Sequence, residues 1–106
     1  MRPTVWITGA SSGIGAALVK TFSSAGYKVA LTARGVDALE QLVSELPESA
    51  ETLIVAGDVT DREGMAAAAA EVAAWGNGIH ILCNNAGLNI PRRSWADLTG
   101  KAGIIS

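Results

Sequence analysis

At 106 residues, with 49% hydrophobic and 17% charged residues, the chain suits one small domain with a packed core and lacks the composition of a disordered one. A net charge of −2, with acidic and basic residues interspersed, argues against a general nucleic-acid or anionic-membrane surface. The single cysteine, Cys83, excludes an intrachain disulfide, and no apolar run suits a membrane span or a signal peptide, so a cytoplasmic location is expected.

Four short apolar runs come in order along the chain: Thr4 to Thr8, Lys28 to Ala33, Thr52 to Ala56 and His80 to Asn84. Each is rich in Val, Ile or Leu with little polar alternation, as strands buried on both faces are. Helical patterns separate them. Ile14, Leu18 and Phe22 recur every four residues, with Gly26 as a stop. Val36, Leu39, Val43 and Leu46 make a second stripe, ended by Pro47. Met65, Ala69, Val72 and Ala73 make a third, with Asp61 in its first turn and Gly76 as its close. Strand, helix, strand, repeated three times, predicts an α/β fold: a Rossmann-like, doubly wound parallel sheet of about four strands and three helices. From Ala86 onward the periodicity fails. Residues 1–87 therefore read as one α/β unit and 88–106 as an irregular tail.

The first strand runs directly into Thr8-Gly9-Ala10-Ser11-Ser12-Gly13-Ile14-Gly15, and a helix opens at once. A turn in this place presents free backbone N–H groups and a positive dipole end, which suit a pyrophosphate. Glycine is needed where the backbone must come close to the phosphates, and Ser11 and Ser12 add hydroxyls that can bond phosphate or cap the helix. A ligand-free strand-to-helix turn is the plainer alternative. No Gly-Lys-Ser/Thr ends the turn, which excludes a nucleoside-triphosphate loop.

About 20 residues after such a turn, an acidic side chain at the end of the second strand bonds a free ribose 2′-hydroxyl. Here Ala33-Arg34-Gly35 occupies that place, and the nearest carboxylate, Asp37, comes later. A guanidinium suits a 2′-phosphate, so NADP(H) is favoured over NAD(H), with a solvated loop arginine as the other reading.

Taken together, these stretches resemble the short-chain dehydrogenase/reductase family. The turn is similar to its TGxxxGxG motif, Asn84-Asn85-Ala86-Gly87 to its NNAG motif, and Asp58-Val59 to its adenine-binding pair, while Arg34 matches the basic residue of NADP-preferring members. The resemblance, over Val5 to Gly87, implies a sheet order 3-2-1-4 and a role for each position. Gly9, Ser11, Gly13, Ile14 and Gly15 would line the pyrophosphate and adjoining ribose, and Arg34 with Ser12 would hold the 2′-phosphate. Asp58 and Val59 would hold adenine, and Asn85, Ala86 and Gly87 would border the adenosine ribose.

The family's chemistry uses a Tyr-x-x-x-Lys pair beyond NNAG. The one tyrosine here, Tyr27, lies before the second strand, so no catalytic residue is assigned, Ser106 included, and no metal ligand either. Three functions follow as expectations. The first is an NADP-dependent oxidoreductase acting on alcohols or carbonyls, of which this would be an N-terminal piece. The others are an inactive NADP(H)-binding module and a non-functional truncated product. Cys83 and His80 read as strand residues, and Trp6 and Trp75 as packing. Gly103-Ile104-Ile105-Ser106 faintly resembles the start of the family's fifth strand, with chance similarity as the equal alternative; without that strand, Ile81 to Cys83 would lie on an open edge, through which the chain would self-associate.

Overall fold

Strand β1 (Thr4–Thr8) is buried along its whole length and forms the axis of the sheet. The computed structural model describes residues 2–85 and 103–105. Around β1 the chain adds α1 (Gly13–Ser24), β2 (Lys28–Thr32), α2 (Val36–Ser44), β3 (Thr52–Ile54), α3 (Arg62–Gly76), β4 (Ile81–Asn84) and β5 (Gly103–Ile105). The sheet order is β3-β2-β1-β4-β5, and each neighbouring pair is parallel. The predicted order 3-2-1-4 is therefore present, with one strand more. Register runs Thr4↔Lys28 to Thr8↔Thr32 on one side of β1 and Val5↔Ile81 to Thr8↔Asn84 on the other.

Alternation along the strands divides the core in two. Val5, Ile7, Val29, Leu31 and Cys83 meet Val19 of α1 with Leu39 and Leu42 of α2. Trp6, Ala30 and Leu82 meet Met65, Ala68, Ala69 and Val72 of α3 on the opposite face. Trp6 is wholly buried, and its indole N–H donates to Thr32 Oγ1 at 2.8 Å, which satisfies the one polar atom the ring brings inside.

Several expectations need correction. In α1 the buried residues are Gly15 and Val19; Ile14 is 70% exposed and Leu18 and Phe22 only partly covered. The helix is rotated because Gly15 must lie against the backbone of the preceding turn. Asn77 and Gly78, both with positive φ, terminate α3, and the Asn77 and Gly78 N–H groups bond Ala73 O. Gly76 is instead the last helical residue, where its carbonyl accepts from Thr4 Oγ1 at 2.9 Å. Asp61 is the N-cap of α3, accepting from the Gly64 N–H.

The largest difference is at β4. Gly103 to Ile105 pair along it in parallel, Ile81↔Gly103 to Cys83↔Ile105, so the edge expected to be open is occupied. Pairing satisfies the N–H and C=O groups that an edge would leave bare, and self-association through β4 loses its basis. The remainder of the segment read as an irregular tail, residues 88–102 and 106, lies outside the described residues.

Candidate functional site

All the turns that carry the singled-out residues follow the C-terminal ends of strands, and the parallel sheet gathers those ends on one edge. After β1 the backbone turns at Gly9, whose φ of 64° suits a residue without a Cβ. The Ala10 N–H donates to Thr32 O at 3.1 Å, which ties the turn to the end of β2. Ser12 then caps α1, its Oγ accepting from the Gly15 N–H at 3.1 Å. The same hydroxyl donates to Gly9 O at 2.9 Å and accepts from Asn85 Nδ2 at 2.6 Å. Asn85 Nδ2 also donates to Gly9 O at 3.1 Å, so the end of β4 is stapled to the turn after β1.

Ser12 is thus fully occupied, giving its proton and accepting two bonds, and its hydroxyl shapes the turn. Ser11 is exposed and its hydroxyl has no partner among the described residues. The N–H groups of Gly13 and Ile14, in the first turn of α1, likewise have none among the described residues. Two donors and a hydroxyl without partners among the described residues, at the positive end of a twelve-residue helix, make a surface whose chemistry suits an anion.

The two glycines in the first turn of α1 differ. A Cβ on Gly15 would collide with the carbonyl oxygen of Gly9 and with Ala10 Cα, so glycine is required by packing. A Cβ on Gly13 would meet nothing within 4 Å, and its φ is not positive. The fold itself therefore gives no reason for glycine at 13. A ligand approaching the backbone here would give one, and in this respect the turn fits a pyrophosphate. The exposed Ile14 flanks the same opening.

Arg34 and Asp58 converge beside the turn. The Gly57 N–H donates to Ala33 O at 3.1 Å, which brings the segment after β3 alongside the end of β2. Arg34 Nη2 then lies 3.5 Å from Asp58 Oδ1. Both side chains are solvent-accessible, at 76% and 43%. Asp58 Oδ1 also accepts from the Thr60 N–H at 2.9 Å and from Thr60 Oγ1 at 2.7 Å. These bonds hold the carboxyl below the usual carboxylate range, the Thr60 N–H most, then its hydroxyl, with Arg34 adding to them and desolvation opposing. The carboxylate is ionised at neutral pH. The stability linked to this shift is present above the unfolded-state value and fades as pH falls through the lowered one.

Neither the Arg34–Asp58 pair nor the anchoring by Thr60 was read from the sequence. Asp58-Val59-Thr60 has the i to i+2 spacing of an Asx turn, and that was the available signal. Val59 packs against the core beside α3. Ala86 and Gly87 lie outside the described residues. Cys83 is buried, which pushes its thiol up and makes it a poor nucleophile. Among the described residues no helix is long and apolar enough to cross a membrane.

Residues 3–102 match the family described as short chain dehydrogenase. The chain is 40% identical over 90 residues to dehydrogenase/reductase SDR family member 7B of Mus musculus, covering 80% of this chain and 28% of that protein. It is 38% identical over 116 residues to serine 3-dehydrogenase of Rhizobium radiobacter, covering all of this chain and 46% of that one. Among solved structures, L-sorbose reductase from Gluconobacter frateurii, complexed with NADPH and L-sorbose, superimposes with a TM-score of 0.74 at 38% identity. That match covers 79% of this chain and 33% of the reductase. The chain thus spans less than half the length of these relatives.

Proposed function

The chain belongs to the short-chain dehydrogenase family, and from that premise we propose that it holds NADP(H) along the C-terminal edge of its sheet, as the cofactor-binding part of an oxidoreductase acting on alcohols or carbonyls. The observation that carries the NADP(H) reading is Arg34, whose guanidinium stands exposed just past β2, where a carboxylate would select NAD(H). The NADPH complex of L-sorbose reductase supports it.

In this reading the first-turn N–H groups of α1 and the Ser11 hydroxyl bond the pyrophosphate, and Gly13 leaves room for it. Ser12 and Asn85 hold the turn in shape, and Ile14 covers the adjoining ribose. Arg34 meets the 2′-phosphate. Asp58, through Oδ2, and Val59, through its backbone N–H, hold adenine, and Ala86 and Gly87 border the adenosine ribose. The cofactor, when bound, supplies or accepts the hydride. A cytoplasmic setting suits the lone, buried thiol.

Replacing Arg34 by alanine is expected to weaken NADP(H) binding about ten- to hundredfold, the worth of a charge-assisted contact of ~1.5–3 kcal/mol. NAD(H) affinity should change little. Calorimetric titration with both cofactors tests this, and equal affinity for the two in the unmutated chain overturns it.

A second reading, binding without turnover, is favoured by the position of Tyr27. It packs edge-on against Phe22, with ring centroids 4.9 Å apart, immediately before β2 and so at the opposite end of the strand from the site. It cannot serve as the proton donor at a reacting oxygen. The 106-residue chain is therefore expected to bind NADP(H) without cofactor-dependent turnover of alcohols or carbonyls. Turnover by a preparation of verified mass, free of other reductases, contradicts this.

A further inference from the structure

We propose that Asp58 tempers this chain's selectivity between the two nicotinamide dinucleotides, by holding Arg34 in an ion pair that a 2′-phosphate must share or displace. The inference rests on the reading that Arg34 meets that phosphate. Its basis is a carboxylate oxygen on which three donors converge. Asp58 Oδ1 accepts from the Thr60 N–H at 2.9 Å and from Thr60 Oγ1 at 2.7 Å, and it faces Arg34 Nη2 at 3.5 Å. The two Thr60 bonds belong to a short turn that leads into the N-cap of α3, where the Asp61 N–H donates to Asp58 O at 2.9 Å. The carboxylate is therefore fixed, whereas Arg34, 76% exposed and with no other ion pair among the described residues, is free to move.

Two electrostatic effects follow. Pairing with Asp58 reduces the guanidinium's gain from a new anion. A phosphate brought to Arg34 also comes close to a carboxylate that cannot swing away, and the like charges repel. NAD(H), which has a hydroxyl in place of that phosphate, meets neither effect. The adenine contact of Asp58 is common to both cofactors and cancels in the ratio of their affinities. Asp58 then tempers a preference that Arg34 creates.

Asp58→Asn keeps an Oδ1 acceptor for both Thr60 donors and removes the charge; the adenine contact it gives up through Oδ2 is lost to both cofactors alike. In the 106-residue chain, dissociation constants for NADP+ and NAD+ at low ionic strength should show the preference for NADP+ rising about two- to fivefold, the range of a solvent-exposed ion pair. The gain should shrink in high salt. In an R34A background the same substitution should leave the ratio unmoved, and circular dichroism of each variant checks that the fold is kept. An unchanged or lowered preference in D58N overturns the proposal while leaving the NADP(H) reading intact. An equal rise in both backgrounds also overturns it, because the effect would not pass through Arg34. If R34A itself leaves the ratio unchanged, the NADP(H) reading fails and this inference fails with it.

Discussion

Replacing Gly15 by alanine is expected to destabilise the domain and to remove dinucleotide binding together with it. The added Cβ would enter the space held by the carbonyl oxygen of Gly9 and the Cα of Ala10, and both are backbone atoms with no rotamer to give way. Relief would require α1 to move off the end of β1. That movement would break the bond from the Gly15 N–H to Ser12 Oγ, and with it the cap and the hydroxyl's link to Asn85. Overpacking of this kind costs about 2–3 kcal/mol, or roughly 10–20 °C in Tm for a domain of this size. Stability in such a domain is ~5–10 kcal/mol in total, so the variant should be folded but visibly weakened. Thermal unfolding followed by circular dichroism checks it. A Tm within a few degrees of the parent would mean that the turn yields more easily than its packing suggests.

The contrast between particular residues shows what a sequence can and cannot disclose here. Val5, Trp6 and Ile7 read as a strand buried on both faces because no polar residue interrupts them, and all three are wholly covered. Met65, Ala69 and Val72 read correctly as the inner face of a helix, since α3 packs its stripe straight onto the sheet. Ile14 misled, because a period of four in α1 pointed to burial, whereas the contact of Gly15 with Gly9 sets the helix's rotation. Hydrophobic periodicity cannot see a close approach of backbone to backbone. The pairing of β5 with β4 was legible only as one of two equal readings. Three residues, Gly103 to Ile105, carry too little pattern to distinguish a strand from chance, and only the unpaired edge of β4 gives them a place.

The site divides in the same way. The glycine turn was legible because strand, turn and helix signals agree there. The triple use of Ser12 Oγ and the meeting of Arg34 with Asp58 were not, since their partners are distant in sequence: Asn85 for Ser12, and a residue beyond a whole helix and strand for Arg34. Long-range polar contacts depend on side-chain placement, which composition and spacing do not encode. Asp58 with Thr60, only two residues apart, was the exception that local turn chemistry could have supplied.

Gly13→Val provides the sharper test of whether the turn is a binding surface. Gly13 opens α1 in ordinary helical backbone, and a Cβ there would have open space around it. Valine suits a helix no worse than glycine does, so the folded chain should lose no stability and could gain a few tenths of a kcal/mol. The branched side chain would, however, stand where a pyrophosphate must come against the N–H groups of Gly13 and Ile14. Losing two charge-assisted bonds of ~1.5–3 kcal/mol each corresponds to about a hundredfold or greater loss of affinity. That loss should fall equally on NADP+ and NAD+, because both carry the pyrophosphate, which distinguishes it from the selective effect expected of R34A. Titration with the two cofactors, alongside a thermal melt, reads both quantities from one preparation. A variant that melts like the parent and binds neither cofactor assigns Gly13 to the ligand. One that binds both as the parent does would make the turn purely structural, leaving Gly13 without an explanation in either the fold or the site.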